Sequence, residues 1–361
     1  MKYHIDKTIR KTTYIQLYEQ LKQDIIANIY PYGTKLPSKR LLAVELGISV
    51  VPIEHAYELL REEGYVEARE RSGYFSIYRQ SDFHIYPEIN SSTTFENTHT
   101  HTSNNEFPYS VLAKTMRKVI LDYNDVLLSK SPNHGVHSFR LAICSYLKRS
   151  NGIKVEPRQI IIGSGAEYLY SLIVQLLGNQ RLFAIENPSY EKIRRVYNAN
   201  GLCIDMLKMG IDGIKTSELQ RTKASVLHIT PFNSFPSGIT ASASKRYEYI
   251  KWAEERNGFI IEDNYDSELT ISKKNDDTVF SLARQHSVIY LNTFTKTIAP
   301  SIRVGYMILP ENLLEEFEEK LGFYSCTVPV FEQYLITELI NNGDFERHIN
   351  RIRRKKRQKK L

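Results

Sequence analysis

Residues 292–306 read NTFTKTIAPSIRVGY, and this stretch decides how the rest of the chain is interpreted. It places Lys296 among hydroxyl residues, shortly after the run VIYL, which is typical of a buried strand. Burial where that strand ends would lower the lysine's pKa and let its amine form a Schiff base with an aldehyde cofactor. A lone lysine at such a position is more often a strand-end side chain that reaches solvent. Thr293, Thr295 and Arg303 favour the first interpretation because they offer donors for a phosphate group.

A second apolar strand, GFIIEDNYD at 258–266, ends in acidic and aromatic residues. A pyridoxal ring needs a carboxylate at its nitrogen, which Asp263 can supply. Tyr265 lies two positions later, so its phenol can face the same way. Further upstream, IIIGSGAE at 160–167 predicts a strand, a glycine turn and a helix start whose N–H groups can bind phosphate. Taken alone, that turn could also be an ordinary strand-to-helix loop.

From about Ser131 onward, the chain resembles a fold-type I aminotransferase domain. The motifs that carry the resemblance stand in the family's order and spacing: GSGAE (163–167), ENPSY (186–190), TPFNSFPSG (230–238), IEDNYDSE (261–268) and TFTKT (293–297). More narrowly, EDNYDSE and FPSG resemble the version found in MocR/GabR-type transcription regulators.

This resemblance implies an α/β fold with a mixed, mostly parallel sheet and flanking helices. It also implies pyridoxal phosphate bound as an internal aldimine to Lys296, with Asp263 at the ring nitrogen and Tyr265 at the ring oxygen. The implied phosphate contacts are Gly165, Ala166, Thr293, Thr295 and Arg303. Tyr190 is implied as an aromatic residue of the cofactor pocket. Asn233 is a further candidate contact to the ring oxygen, although Asn233-Ser234 departs from the family's usual His-Gln.

The first eighty residues predict three helices and a hairpin. Apolar residues at helical spacing predict a helix at about 14–28, and Ser38 and Ser49 are good N-caps for two more. Two short strands, at 65–68 and 74–77, flank a basic turn. This order is typical of a winged helix-turn-helix, whose recognition helix lies in the major groove of DNA.

The same segment resembles the GntR-type DNA-binding domain over its whole length. The motifs concerned are LPSKRLLA (36–43), LGIS (46–49), AYELL (56–60) and EGYV (63–66). The implied DNA contacts are Arg40, Ser49 and Gly73. On their chemistry alone, further candidate phosphate contacts are Ser38, Lys39, Arg69 and Arg71. Any one of these basic residues could instead be a solvated surface charge. The family often has Arg-x-Thr-Val after the serine, whereas VVPI stands here, which leaves thymine-methyl contacts for the two valines.

The net charge of +7 does not by itself indicate DNA binding, because nine of the 48 basic residues lie at 347–361, leaving 39 against 41 acidic ones. The basic tail could be a nucleic-acid arm. The favoured interpretation is that FERHINRIRR at 345–354 resembles the helix leading into the family's small C-terminal subdomain. Roughly one hundred residues normally follow that helix, a common length for a small domain. The sequence stops at Leu361, so we expect most of this subdomain to be lacking. In the family, the subdomain carries the arginine that binds an amino-acid carboxylate.

We expect a winged helix domain at 1–78, a linker at 79–106 and an aminotransferase-like domain at 107–361. The three cysteines have no metal spacing and suit a reducing cytoplasm. The irregularly spaced histidines of the linker region favour no metal site. The sequence offers neither a signal peptide nor an apolar run of membrane-spanning length, so a cytoplasmic protein without a membrane span is expected.

Two classes of function compete. The first is a transcription regulator, not an enzyme, that binds a double-stranded DNA operator as a homodimer and senses pyridoxal phosphate or its adduct with an amine or amino acid. The second is a working aminotransferase with an appended DNA-binding domain. A third possibility is a degenerate fragment that binds DNA but no effector. The winged helix favours the regulator, and the expected lack of the carboxylate-gripping region weighs against turnover.

Overall fold

The computed structural model describes residues 3–6, 11–70, 72–79, 107–270, 277–283 and 287–359. The chain forms two compact units, Met1–Thr100 and His101–Leu361. Arg71 and nearly all of the expected linker lie outside the described residues. The domain limits given above therefore stay a prediction.

The first unit is a three-helix domain with a two-stranded hairpin. Its elements are α1 (Thr13–Ile26), α2 (Lys39–Leu46), α3 (Val50–Glu62), β1 (Val66–Arg69) and β2 (Gly73–Ser76). Ser38 caps α2 by accepting the Leu41 N–H at 3.2 Å, and Gly47 ends it with a φ of +62°. Ser49 stands at the N-cap position of α3, but its side chain makes no capping hydrogen bond there.

A small apolar core joins these elements. Its fully buried side chains include Leu17, Leu21, Leu42, Ile53, Tyr57 and Leu60. Ile29, which has the spacing of the α1 apolar face, is instead exposed, because α1 ends at Ile26 and Asn28 takes a positive φ. The hairpin is antiparallel with Arg69 opposite Gly73, and each strand is displaced by one residue from its expected position.

The second unit is built on a seven-stranded sheet. Its strands are β3 (Ile160–Gly163), β4 (Phe183–Asn187), β5 (Ile204–Lys208), β6 (Val226–Ile229), β7 (Phe259–Asp263), β8 (Val288–Thr293) and β9 (Gly305–Ile308). Their order across the sheet is β3-β9-β8-β7-β6-β4-β5. Only the pairs that involve β9 are antiparallel; the others are parallel. Most of these strands read as largely apolar runs because both faces of the sheet are covered.

The second unit also contains ten α-helices among its described residues. They are α4 (Tyr109–Tyr123), α5 (His137–Asn151), α6 (Ala166–Leu177), α7 (Glu191–Ala199), α8 (Thr216–Arg221), α9 (Ala243–Arg256), α10 (Val279–Leu282), α11 (Leu314–Leu321), α12 (Val330–Asn341) and α13 (Asp344–Lys359). One core lies between the sheet and helices that include α5, α9 and α12, and the other between the sheet and α6, α7 and α11. The expected α/β fold with a mixed, mostly parallel sheet is confirmed. No helix in the described part of the chain is long and apolar enough to cross a membrane.

Candidate functional site

The C-terminal ends of β3, β4, β6, β7 and β8 lie along one edge of the sheet, because β3 and β8 are both antiparallel to the β9 strand between them. Ligands of open α/β sheets bind in the crevice outside such strand ends. A cavity of about 240 Å³ lies there. It brings together eight of the ten residues predicted for the cofactor: Ala166, Tyr190, Asp263, Tyr265, Thr293, Thr295, Lys296 and Arg303.

Asp263 is the last residue of β7, and it is buried at the base of the cavity. Its Oδ1 accepts a hydrogen bond from the Tyr265 backbone N–H at 3.2 Å, and its Oδ2 accepts one from the Tyr170 hydroxyl. Burial raises the pKa of Tyr170 well above its ordinary value, so this phenol remains a donor. The two donors fix the orientation of the carboxylate.

Two further buried side chains support Asp263 from the protein interior. The Nε2 atom of His228, on β6, lies 3.7 Å from Asp263 Oδ2, and its Nδ1 atom lies 2.6 Å from the Tyr197 hydroxyl on α7. Burial raises the pKa of Tyr197 well above its ordinary value, so the hydroxyl keeps its proton and can donate it to Nδ1. The Nε2 side of the imidazole therefore faces Asp263.

Lys296 lies in the turn that follows β8, as the sequence predicts. Its side chain is exposed, however, and the expectation of a lysine desolvated inside the protein is wrong for this structure. The reason is that β8 ends at Thr293, so that Lys296 leaves the buried layer and lines the open cavity. Its Nζ atom lies 5.8 Å from the centre of the Tyr265 ring. Burial, assisted by the charge of Asp266, raises the pKa of the Tyr265 phenol.

The glycine turn before α6 faces Arg303. Gly165 has a φ of +91°, and a Cβ atom there would lie 2.8 Å from Arg303 Nη2. A glycine therefore lets the guanidinium approach the start of the helix. Ala166 opens α6, where the first N–H groups have no acceptor within the helix. Thr293 and Thr295 line the same cavity, and this set of donors suits an anion.

Two charged residues that were not predicted from sequence share this end of the cavity. Glu167, in the first turn of α6, pairs with Arg303 Nη2 through Oε2 and with Lys192 Nζ at 2.9 Å through Oε1. Burial raises the pKa of Glu167, but the Lys192 hydrogen bond and the Arg303 charge outweigh that effect and hold the pKa below its ordinary value. Glu167 is thus a carboxylate at neutral pH.

Aromatic residues form the outer wall. The rings of Tyr190 and Phe235 lie 6.0 Å apart at an angle of 76°. Asn233 does not line the cavity: its φ is +54°, and its Nδ2 donates to Asp266 Oδ2 at 2.7 Å. Its carbonyl, rather than its side chain, meets the Tyr265 hydroxyl, at 3.4 Å.

The residues predicted to contact DNA differ in whether their side chains already have a partner within the protein. Arg40 is exposed on α2, with no hydrogen bond or ion pair to another described residue. Lys39 is paired with Glu54, and Arg69 is paired with Glu67 at 2.6 Å. The remaining positions are Ser38, whose hydroxyl caps α2, exposed Ser49, and Gly73, which has a φ of +109°. Arg71 lies outside the described residues.

The sequence contained signals for some of the residues that were missed. His228 interrupts the otherwise apolar strand VLHI, and a polar residue inside such a run needs a partner. Lys192 follows the ENPSY motif at the start of a strongly amphipathic helix. The pairing of Tyr170 with Asp263 carries no local signal, since 93 positions separate them.

Comparisons with known proteins agree with this architecture. Residues 13–75 match the family model of bacterial regulatory proteins of the gntR family, and residues 81–361 match the model of aminotransferase class I and II. The HTH-type transcriptional regulator YdeL of Bacillus subtilis is 32% identical over 99% of this chain and 79% of its own length. The probable rhizopine catabolism regulatory protein MocR of Rhizobium meliloti is 24% identical over 94% of this chain and 74% of its own length.

A third relative, the pyridoxine biosynthesis transcriptional regulator PdxR of Corynebacterium glutamicum, is 26% identical over 94% of this chain and 75% of its own length. Among solved structures, the kynurenine aminotransferase of Pyrococcus horikoshii superposes with a TM-score of 0.63 and 25% identity, over 69% of this chain and 64% of that one. The chain thus spans less than two thirds of the solved aminotransferase. It belongs to the gntR family of bacterial regulatory proteins, in the MocR-type group that joins a winged helix to an aminotransferase class I and II domain.

Proposed function

We propose that this chain is a DNA-binding transcription regulator that attaches pyridoxal phosphate at Lys296 and responds to an amine or amino acid in the same cavity. The observation that carries the proposal is the convergence of Lys296, Asp263 and Arg303 on one cavity of a chain that also has a winged helix. The aminotransferase class I and II family is a pyridoxal-phosphate-dependent one, which supports this choice of cofactor.

The residues present fit that cofactor. Gly165 leaves room for the Arg303 guanidinium where a Cβ atom would not, and the α6 N-terminus adds N–H donors, so a phosphate has partners at this end. The cofactor also needs a carboxylate at its ring nitrogen. Asp263 supplies one, and two hydrogen bonds fix its orientation. When bound, pyridoxal phosphate supplies an aldehyde that exchanges between amines and a ring that withdraws electrons.

Each residue then has a distinct task. Lys296 offers the amine that would hold the aldehyde carbon of the cofactor. Because Lys296 is exposed, an incoming amine can reach that position and replace it. Asp263, oriented by the Tyr170 hydroxyl and the Tyr265 N–H, holds a proton at the ring nitrogen. Tyr265 places a protonated phenol beside Lys296.

For DNA, we propose that residues 1–78 bind a duplex with repeated half-sites through α3 and the hairpin, with Arg40 as the principal free cation on α2. Lys39 and Arg69 contribute less, because each already has a carboxylate partner. The linker at 79–106, a homodimer and a cytoplasmic location are parts of the same proposal. In a dimer, half-site spacing would report the geometry of the two winged domains.

Attachment at Lys296 is tested by borohydride reduction of the protein mixed with pyridoxal phosphate, followed by peptide mass mapping. We expect the pyridoxyl group on Lys296, and Lys296→Ala should lose it, whereas Lys251→Ala, a change on the exposed face of α9, should keep it. A label elsewhere on folded wild-type protein would reject the assignment.

Sensing requires that the effector binds one DNA-affinity state better than the other, and the coupling must be reciprocal. Affinity for DNA from upstream of the protein's own gene should therefore change when pyridoxal phosphate and candidate amines are added to wild type, and should not change for Lys296→Ala. Equal affinities in every condition, from folded dimeric protein, would remove the sensor function.

The second candidate is an aminotransferase with an appended DNA-binding domain, because the residues of the cavity suit catalysis as well as sensing. Amino donors and keto-acid acceptors separate the two. Multiple turnovers per protein molecule would support the enzyme, whereas the regulator predicts at most one exchange per bound cofactor.

A further inference from the structure

The phosphate end of the cavity already contains an anion that belongs to the chain. The Glu167 carboxylate pairs with Arg303 Nη2 through one oxygen and with Lys192 Nζ, at 2.9 Å, through the other. All three side chains line the cavity. The two cations that a phosphate would use are therefore shared by a carboxylate at the start of α6.

The Glu167 carboxylate lies close to the place where a phosphate would bind Arg303 and the N-terminus of α6. Arg303 lies against the turn before α6, since a Cβ atom at Gly165 would come within 2.8 Å of its Nη2 atom. Glu167 lies in the first turn of the same helix, where the helix dipole favours negative charge. A phosphate bound to the helix N-terminus and to Arg303 would meet the Glu167 carboxylate as a neighbouring negative charge.

The ion pairs are weak enough to exchange. The side chains of Glu167, Arg303 and Lys192 are 31%, 48% and 56% exposed, and pairs at such exposure gain little in water. A phosphate group offers more charge and three acceptor oxygens, so it makes more charge-assisted hydrogen bonds than a carboxylate. Binding energy can therefore displace Glu167, but the displacement lowers the affinity that is observed.

We propose that Glu167 is a built-in competitor for phosphate at this site and that Lys192 is a second cation for the phosphate once Glu167 has moved away. This inference rests on the proposed function, because it assigns residues to the same cofactor site. It predicts that Glu167 sets how much pyridoxal phosphate the protein retains.

The test compares Glu167→Gln with wild type in equilibrium titrations of the full chain with pyridoxal phosphate and with inorganic phosphate. Glutamine keeps the size of the side chain but loses its charge, so we expect phosphate and cofactor affinities to rise about three- to tenfold. Lys192→Ala should lower both affinities. Glu191→Gln is the matched control, because Glu191 pairs with Arg194 and Arg195 on the exposed face of the next helix.

Pyridoxal, which lacks the phosphate group, shows whether Glu167 competes with the phosphate or affects the cavity as a whole. Its affinity should be the same for wild type and Glu167→Gln. If Glu167→Gln and Glu191→Gln both bind pyridoxal phosphate as wild type does, the competitor role is refuted while cofactor binding stands. If Glu167→Gln binds more weakly than wild type, Glu167 supports the site rather than competing, which also refutes it. If folded wild type and both variants bind no pyridoxal phosphate, the proposed function fails instead.

Discussion

Replacing Glu186 with glutamine tests how a buried carboxyl sets the pH dependence of stability in the larger unit. Glu186 lies on β4, 4% exposed, where it accepts the Thr230 N–H at 3.1 Å and the Ser234 hydroxyl. Burial raises its pKa from the ordinary value of 4.5 to about 7, and the two hydrogen bonds offset this only in part. A glutamine can keep both contacts, since its oxygen accepts from Thr230 and its NH₂ group donates to Ser234 Oγ.

The magnitude follows from proton linkage. Between pH 4.5 and pH 7 the folded protein holds a proton on Glu186 that the unfolded chain has released, so the free energy of unfolding falls as the pH rises. The shift corresponds to about 3 kcal/mol above pH 7, of which roughly 2.5 kcal/mol is lost between pH 5 and pH 8. Glutamine does not titrate. Glu186→Gln should therefore be more stabilising at pH 8 than at pH 5 by about 2.5 kcal/mol.

Urea unfolding at the two pH values measures this difference. The single tryptophan, Trp252, is buried in α9, so its fluorescence reports the larger unit. Glu319→Gln, on the exposed side of α11, is the control and should show no such difference. Other buried carboxyls titrate equally in both proteins and cancel in the comparison. An equal effect of Glu186→Gln at pH 5 and pH 8 would refute the reasoning.

Three further substitutions probe the cofactor site and the DNA surface. Tyr197→Phe leaves His228 Nδ1 buried without its partner and should cost about 1–3 kcal/mol, measured as a lower unfolding midpoint in urea. Arg40→Ala should weaken binding to all DNA sequences and reduce the salt slope by about 1 if it contacts phosphate, or relax specificity at one position if it reads a base, as measured by titrations at several salt concentrations. Gly165→Ala should lower pyridoxal phosphate affinity, measured by absorbance titration, because its methyl group would displace Arg303.

Several elements could be predicted because each of them carried a local signal, whereas the architecture of the larger unit was implied by the resemblance to the aminotransferase family. The second helix illustrates this: Ser38 and Gly47 bracket α2, and the observed element has the expected bounds of 39–46. Strand ends followed by chemically distinctive residues, as at Asp263 and Lys296, placed the site at one edge of the sheet. Their side chains meet there because the parallel strands β7 and β8 bring their C-terminal ends together.

Contacts between distant segments could not be predicted in the same way. Glu167 and Arg303 are 136 positions apart, and neither neighbourhood indicates that the two charges meet. The expected burial of Lys296 was wrong because an apolar strand fixes only where the buried layer ends, not the direction of the turn that follows. Asn233 turned toward Asp266 because a positive φ and a nearby carboxylate act together, and sequence spacing reports neither of them.

The segment that follows Asp263 and Tyr265 is hydrogen-bonded to α13, the last described helix. Arg353 Nε on α13 donates to the Glu268 carbonyl at 2.6 Å, and Lys356 Nζ donates to the Leu269 carbonyl at 3.3 Å. Those carbonyls belong to the short segment that follows Asp263 and Tyr265. A displacement of α13 would therefore act on the residues assigned to the cofactor ring. Two of the basic residues that give the chain its net positive charge thus donate hydrogen bonds to backbone carbonyls within the larger unit. That charge therefore adds no support to the regulator hypothesis.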